Sequence, residues 1–113
     1  MMTVYKICRA VDWVRAREVG AYEGSPDDRR DGFIHLSANH QVSETARRHF
    51  SGESGLILIA FEAEALGSGL RWEPSRDGDL FPHHYGTIPT AAAMWIAPLP
   101  WRDGNHQFPA ELP

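Results

Sequence analysis

The chain has 113 residues, the size of one ordinary domain, and its mass is 12.7 kDa. Hydrophobic residues at 42% and charged residues at 23% fit a folded globular chain rather than disorder, and a formal charge of −4 argues against general nucleic-acid binding. One cysteine excludes an internal disulfide and a cysteine-built zinc site, and no apolar run approaches the roughly 20 residues of a membrane-spanning helix.

The opening residues Met1-Met2-Thr3-Val4-Tyr5-Lys6 lack the long apolar stretch of a signal peptide, so a cytoplasmic location is the expectation. Val4-Tyr5-Lys6-Ile7-Cys8 alternates in β-prone residues and predicts a first strand, with Cys8 inside the core. Asp12 is placed to cap a helix with apolar positions at Trp13, Val14, Ala16 and Val19, and Gly20 stands where a helix-ending glycine belongs. Residues 23–32 are polar and rich in turn formers, which predicts a surface loop. A short strand follows over residues 33–37. A second helix is predicted from residue 39 or 40 to 50, with Val42, Ala46, His49 and Phe50 on one face.

Leu56-Ile57-Leu58-Ile59-Ala60-Phe61 is the most apolar run and predicts a central strand. Glu64-Ala65-Leu66 can make one helical turn. Leu70-Arg71-Trp72-Glu73 predicts a strand stopping at Pro74, and Asp77-Gly78-Asp79 a turn. Phe81-Pro82-His83-His84-Tyr85-Gly86 reads as too polar and kinked for a regular element. Residues 91–97, flanked by prolines, predict a last strand, and the tail after Trp101 an extended or loosely packed segment. Two helices in the first half and strands in both halves describe a single α+β domain over residues 1–113.

Glycine-rich nucleotide loops, His-Glu-x-x-His and Gly-x-Ser-x-Gly are absent. Three polar clusters remain. In Asp31-Gly32-Phe33-Ile34-His35-Leu36-Ser37, strand alternation puts Phe33, His35 and Ser37 on one face, a set suited to a ribose, an amide or an anion. Trp72-Glu73-Pro74-Ser75-Arg76 offers a carboxylate, a hydroxyl and a guanidinium. Phe81-Pro82-His83-His84-Tyr85-Gly86 offers two imidazoles and a phenol. The histidine spacing does not suit a chelate, so no metal is expected. His35, Ser37, Glu73 and His83 are expected to line one cleft.

In that order, and together with Val4-Tyr5-Lys6, these motifs resemble the bacterial domain-of-unknown-function family number 952, from about Val4 to Phe108. The resemblance implies an ADP-ribosyltransferase-like fold, with two small bent sheets flanked by helices around a cleft. His35-Leu36-Ser37 is also similar to the His-Leu-Ser strand of the RNA 2′-phosphotransferases of that fold. Lys6 stands where their first strand has a His, and Ile7-Cys8 where it has Gly-Thr.

On this resemblance Glu73 and His35 are candidate catalytic residues, Glu73 steadying a ribosyl cation. Lys6, Ser37, Arg76, His83 and Tyr85 are candidate ligand-binding residues, with Lys6 or Arg76 taking a phosphate. Two functions follow. One is a transferase or hydrolase acting on an NAD-derived or phosphoribosyl compound, with NAD or ADP-ribose as substrate and ADP-ribose preferred because Lys6 replaces the nicotinamide-gripping His. The other is a non-catalytic nucleotide-binding or protein-interaction module.

Overall fold

The computed structural model describes residues 2–112, apart from the side chain of Arg76. Strand β1 (Thr3–Arg9) leads into α1 (Ala10–Val19) and β2 (Ala21–Tyr22), then α2 (Pro26–Asp31), β3 (Ile34–His35), β4 (Ser37–Ala38) and α3 (Val42–His49). The second half holds β5 (Leu56–Glu62), a 3-10 segment (Ala63–Gly69), β6 (Leu70–Pro74), a turn (Arg76–Gly78), β7 (Leu80–His84), β8 (Ile88–Pro89) and β9 (Ala93–Pro98). A ribbon of β10 (Trp101–Arg102) and β11 (Asn105–His106) follows. This is a mixed α+β domain. Among the described residues the strands form four small sheets rather than two: β4-β1-β5-β9, β3-β7-β6, β2-β8 and β10-β11. No helix among the described residues is long and apolar enough to cross a membrane.

The main sheet is apolar on both faces, which is why β5 reads as a continuous hydrophobic run. Val4, Cys8, Ile59 and Phe61 pack toward Trp13 of α1. Tyr5, Ile7, Leu58 and Ala60 pack toward Val42 and Ala46 of α3. Burial pushes the Cys8 thiol up to about 12, so it stays protonated at neutral pH. Helix α1 buries Trp13 and Ala16 but leaves Val14 and Val19 exposed, contrary to the predicted face. Its N-cap is Arg9, and Asp12 lies in the first turn instead of capping.

Three predicted irregular stretches are ordered. The expected loop at residues 23–32 contains α2. Pro26 opens it, the Ser25 hydroxyl accepts from the Asp28 amide, and the Asp28 carboxylate accepts from the Ser25 amide. The stretch around His83 is β7, the middle strand of its sheet. The tail forms the β10-β11 ribbon, and Phe108 and Leu112 pack on the core.

The predicted strand over residues 33–37 splits instead. β3 pairs with β7, β4 pairs with β1, and between them the Leu36 amide donates to the Pro82 carbonyl at 3.0 Å. One short segment thereby joins the two larger sheets, and the candidate site side chains collect at that seam.

Gly69 has a steric role there. A Cβ at this position would stand 2.8 Å from the Tyr85 carbonyl oxygen and 2.9 Å from His84 Nε2. The Gly69 carbonyl also accepts from the Tyr85 amide at 2.8 Å, so β7 cannot back away without losing that bond. Gly69→Ala is expected to destabilise the chain by about 1–3 kcal/mol, the usual range for overpacking. A lowered urea midpoint at unchanged slope is the expected result, and an unchanged midpoint contradicts the close approach.

Candidate functional site

Alternation along the β3-β7-β6 sheet assigns its side chains to two faces. His35 lies directly across from His83, which lies across from Arg71, and Glu73 lies across from Phe81. Since residues two apart share a face, His35, Phe81, His83, Arg71 and Glu73 all stand on one side. His84, Pro82 and Trp72 take the other. The two neighbouring histidines therefore point apart, and among the described residues no three His, Cys, Asp or Glu side chains gather as a metal-ligand set.

On the face of His35 and His83 the aromatic rings form one cluster. Phe33 stacks on His83 with centroids 4.1 Å apart and an interplanar angle of 26°, and it leans on His35 at 4.6 Å and Tyr85 at 5.4 Å. His35 and His83 are 5.7 Å apart, edge to face. Both imidazoles are held in place by apolar packing on one side and carboxylates on the other.

A cavity of about 350 Å³ opens beside this cluster, between α2, the end of α3 and the seam of the two sheets. His35, Ser37 and His83 line it, as expected, and Lys6 does too. Ser37 is buried, and its hydroxyl sits 3.2 Å from that of Thr45 on α3. Glu73 and Tyr85 do not line the cavity, which corrects the expectation for Glu73. It stands behind His83: its Oε1 is 2.8 Å from His83 Nδ1 and accepts from the Tyr85 hydroxyl at 2.8 Å. The His83 hydrogen bond, followed by that of Tyr85, holds the Glu73 carboxyl below the usual range. A carboxylate at Nδ1 fixes that nitrogen as the donor, so Nε2 keeps the lone pair of the neutral ring. The side chain of Arg76, expected to take a phosphate, lies outside the described residues.

The sequence reading missed Asp28, which organises the other half of the site. It is 2% exposed, and its Oδ2 pairs with Lys6 Nζ at 2.8 Å. Its Oδ1 accepts from the His35 amide at 3.1 Å and lies 2.6 Å from His35 Nδ1. Lys6 Nζ also donates to the His35 carbonyl at 3.0 Å. Burial alone would raise the Asp28 carboxyl. The hydrogen bond from His35, the Lys6 ammonium and the Ser25 amide together outweigh it and hold Asp28 well below the ordinary carboxylate range. The Lys6 charge is therefore already matched, which corrects its expected role as a free phosphate binder. His35 Nε2 meets Asp31 at 3.0 Å, so each ring nitrogen faces a carboxylate. Ser25-Pro26-Asp27-Asp28 was the available signal, since it has a capping-box pattern with proline at the first helical position.

Residues 7–96 match the family described as protein of unknown function, DUF952. The chain belongs to that family. Two solved structures of protein CC0527 from Caulobacter crescentus resemble this DUF952 chain over nearly its whole length. The crystal structure is 44% identical, covers 93% of each chain and has a TM-score of 0.89. The solution NMR structure is 42% identical, covers 94% of this chain and 91% of its own, and has a TM-score of 0.83. A curated relative, 4-coumarate–CoA ligase from Halorhodospira halophila, is 36% identical across 55% of this chain. The match spans 21% of that relative's length.

Proposed function

We propose that this DUF952 domain is an enzyme of the ADP-ribosyltransferase-like fold, a hydrolase or transferase acting on the ribosyl carbon of an NAD-derived or phosphoribosyl compound. The observation that carries the reading is the Glu73–His83 pair. A carboxylate fixes Nδ1, an aromatic ring backs the imidazole, and the ring borders a cavity large enough for a sugar and one more ring. In the hydrolytic form, His83 Nε2 takes a proton from water as the water oxygen bonds to the ribosyl carbon. The bond to the leaving group breaks, and that group departs with the electron pair. Glu73 acts through His83, and the Ser37 and Thr45 hydroxyls offer partners for ribose oxygens.

The match to part of a CoA ligase is in keeping with a nucleotide-like ligand, since CoA itself carries an adenosine moiety. One observation favours a second reading, a non-catalytic nucleotide-binding or protein-interaction module: the Lys6 ammonium is matched to Asp28 inside the fold. Incubation with NAD and with ADP-ribose, followed by proton NMR, separates the two. The proposed enzyme releases a new ribosyl product with time. Binding without product supports the module, and neither binding nor product overturns the ribosyl reading.

A further inference from the structure

We infer that the cavity takes the uncharged, hydroxyl-bearing ribosyl part of its ligand and leaves phosphate groups outside in solvent; this rests on the ribosyl reading above. The inference comes from the charges along the wall. Among the described lining residues the permanent cations are Lys6 and Arg30, against the carboxylates of Asp27, Asp28 and Asp31. Both cations are already engaged. Lys6 is bonded to Asp28, and Arg30 reaches Asp27 at 3.0 Å and Asp31 at 3.1 Å. His35 also faces two carboxylates.

A phosphate entering this wall meets an excess of acidic groups, and the charge of each cation it reaches is already offset by a carboxylate. A ribose meets neutral partners instead. Ser25, Ser37, Thr45 and Ser75 all border the space. Ile7, Leu36, Phe50 and Phe81 supply the apolar surface that a flat ring or a sugar face covers. The volume of about 350 Å³ is at the small end for ligand sites, in keeping with one nucleoside-sized group rather than a whole dinucleotide.

The test is calorimetry with two matched pairs, adenosine against adenosine 5′-monophosphate and ribose against ribose 5-phosphate, at low and high salt. The uncharged member of each pair is expected to bind at least as tightly as its phosphate. Its affinity is expected to change by less than about twofold with salt, because an uncharged ligand has no charge for salt to screen. In Asp27→Asn/Asp31→Asn, which keeps Ser25, Pro26 and Asp28 to start α2, Arg30 loses the negative charge of both partners. The monophosphate is then expected to gain about tenfold over adenosine. A wild-type preference of about tenfold or more for the phosphates, weakening with salt, overturns this inference and leaves the ribosyl reading standing. No gain in the double variant removes its stated cause and overturns it too. Failure of all four compounds to bind overturns the ribosyl reading itself.

Discussion

Asp28→Ala is expected to cost about 3–5 kcal/mol, the range for removing one partner of a buried ion pair. It is also expected to lower the midpoint of thermal unfolding by roughly 10–20 °C. The substitution leaves the Lys6 ammonium buried with the His35 carbonyl as its remaining partner, and it strips acceptors from the Ser25 and His35 amides. A domain of this size has only about 5–15 kcal/mol of net stability, so the loss is a large fraction of the whole. Lys6→Met/Asp28→Ala is expected to recover part of it, because no unmatched charge then stays inside. If Asp28→Ala unfolds within about 1 kcal/mol of the parent chain, the pair is not what anchors α2.

The same carboxylate sets the acid limb of stability. Its folded-state value is depressed below the ordinary range. The stabilisation it contributes is therefore complete above the unfolded-state value, about pH 4, and is lost as pH falls below that toward the folded value. Urea midpoints of the parent chain should fall steeply below about pH 4, while those of Asp28→Ala, already lower, should fall less. Parallel acid limbs in the two proteins would show that other carboxylates dominate.

Period and apolarity in the sequence reach the elements with a plain strand or cap pattern: β1, β5, β6 and the Gly20 helix end lie where their patterns indicate, and β9 begins two residues later than predicted, after a 3-10 turn over Thr90–Ala92. The missed elements share a different logic. In β7 one face is carried by Pro82 and His84 and the other by Phe81 and His83, all four buried, so neither face reads as hydrophobic. In α2 the one buried side chain is Asp28, and its burial depends on a lysine 22 residues earlier. Local pattern cannot see a charge matched at such a distance. For the same reason Lys6 looked like a ligand anchor in the sequence and is an internal partner in the fold. Glu73 was legible as a polar candidate, yet its place behind His83 follows from the β6-β7 register, which is set only when the strands pair.

His83→Asn is expected to lower turnover of the proposed ribosyl substrate by about 10²–10⁴, the usual contribution of a positioned general base. Asn is the informative replacement because its amide can still donate to Glu73 in place of Nδ1, while the lone pair of Nε2 is gone. The ring is nearly buried and stacked on Phe33, so the variant's unfolding curve has to be measured alongside its rate. If His83 accepts the proton only as the reaction proceeds, kcat and kcat/KM should fall together and the binding of substrate should change little. Glu73→Gln should give a smaller loss, since a carbonyl oxygen can still hold the Nδ1 proton but no longer offsets the charge that forms on the ring. Its pH profile carries a further readout. The Glu73 carboxyl is held below the ordinary range by His83 and Tyr85, so it is ionised throughout neutral pH and its help to His83 should be constant there. That help should vanish only in acid, below the ordinary carboxylate value, where Glu73→Gln and the parent chain converge. A His83→Asn protein that is folded and turns over within about twofold of the parent would remove His83 as the base, and with it the reason to read the cavity as an active site.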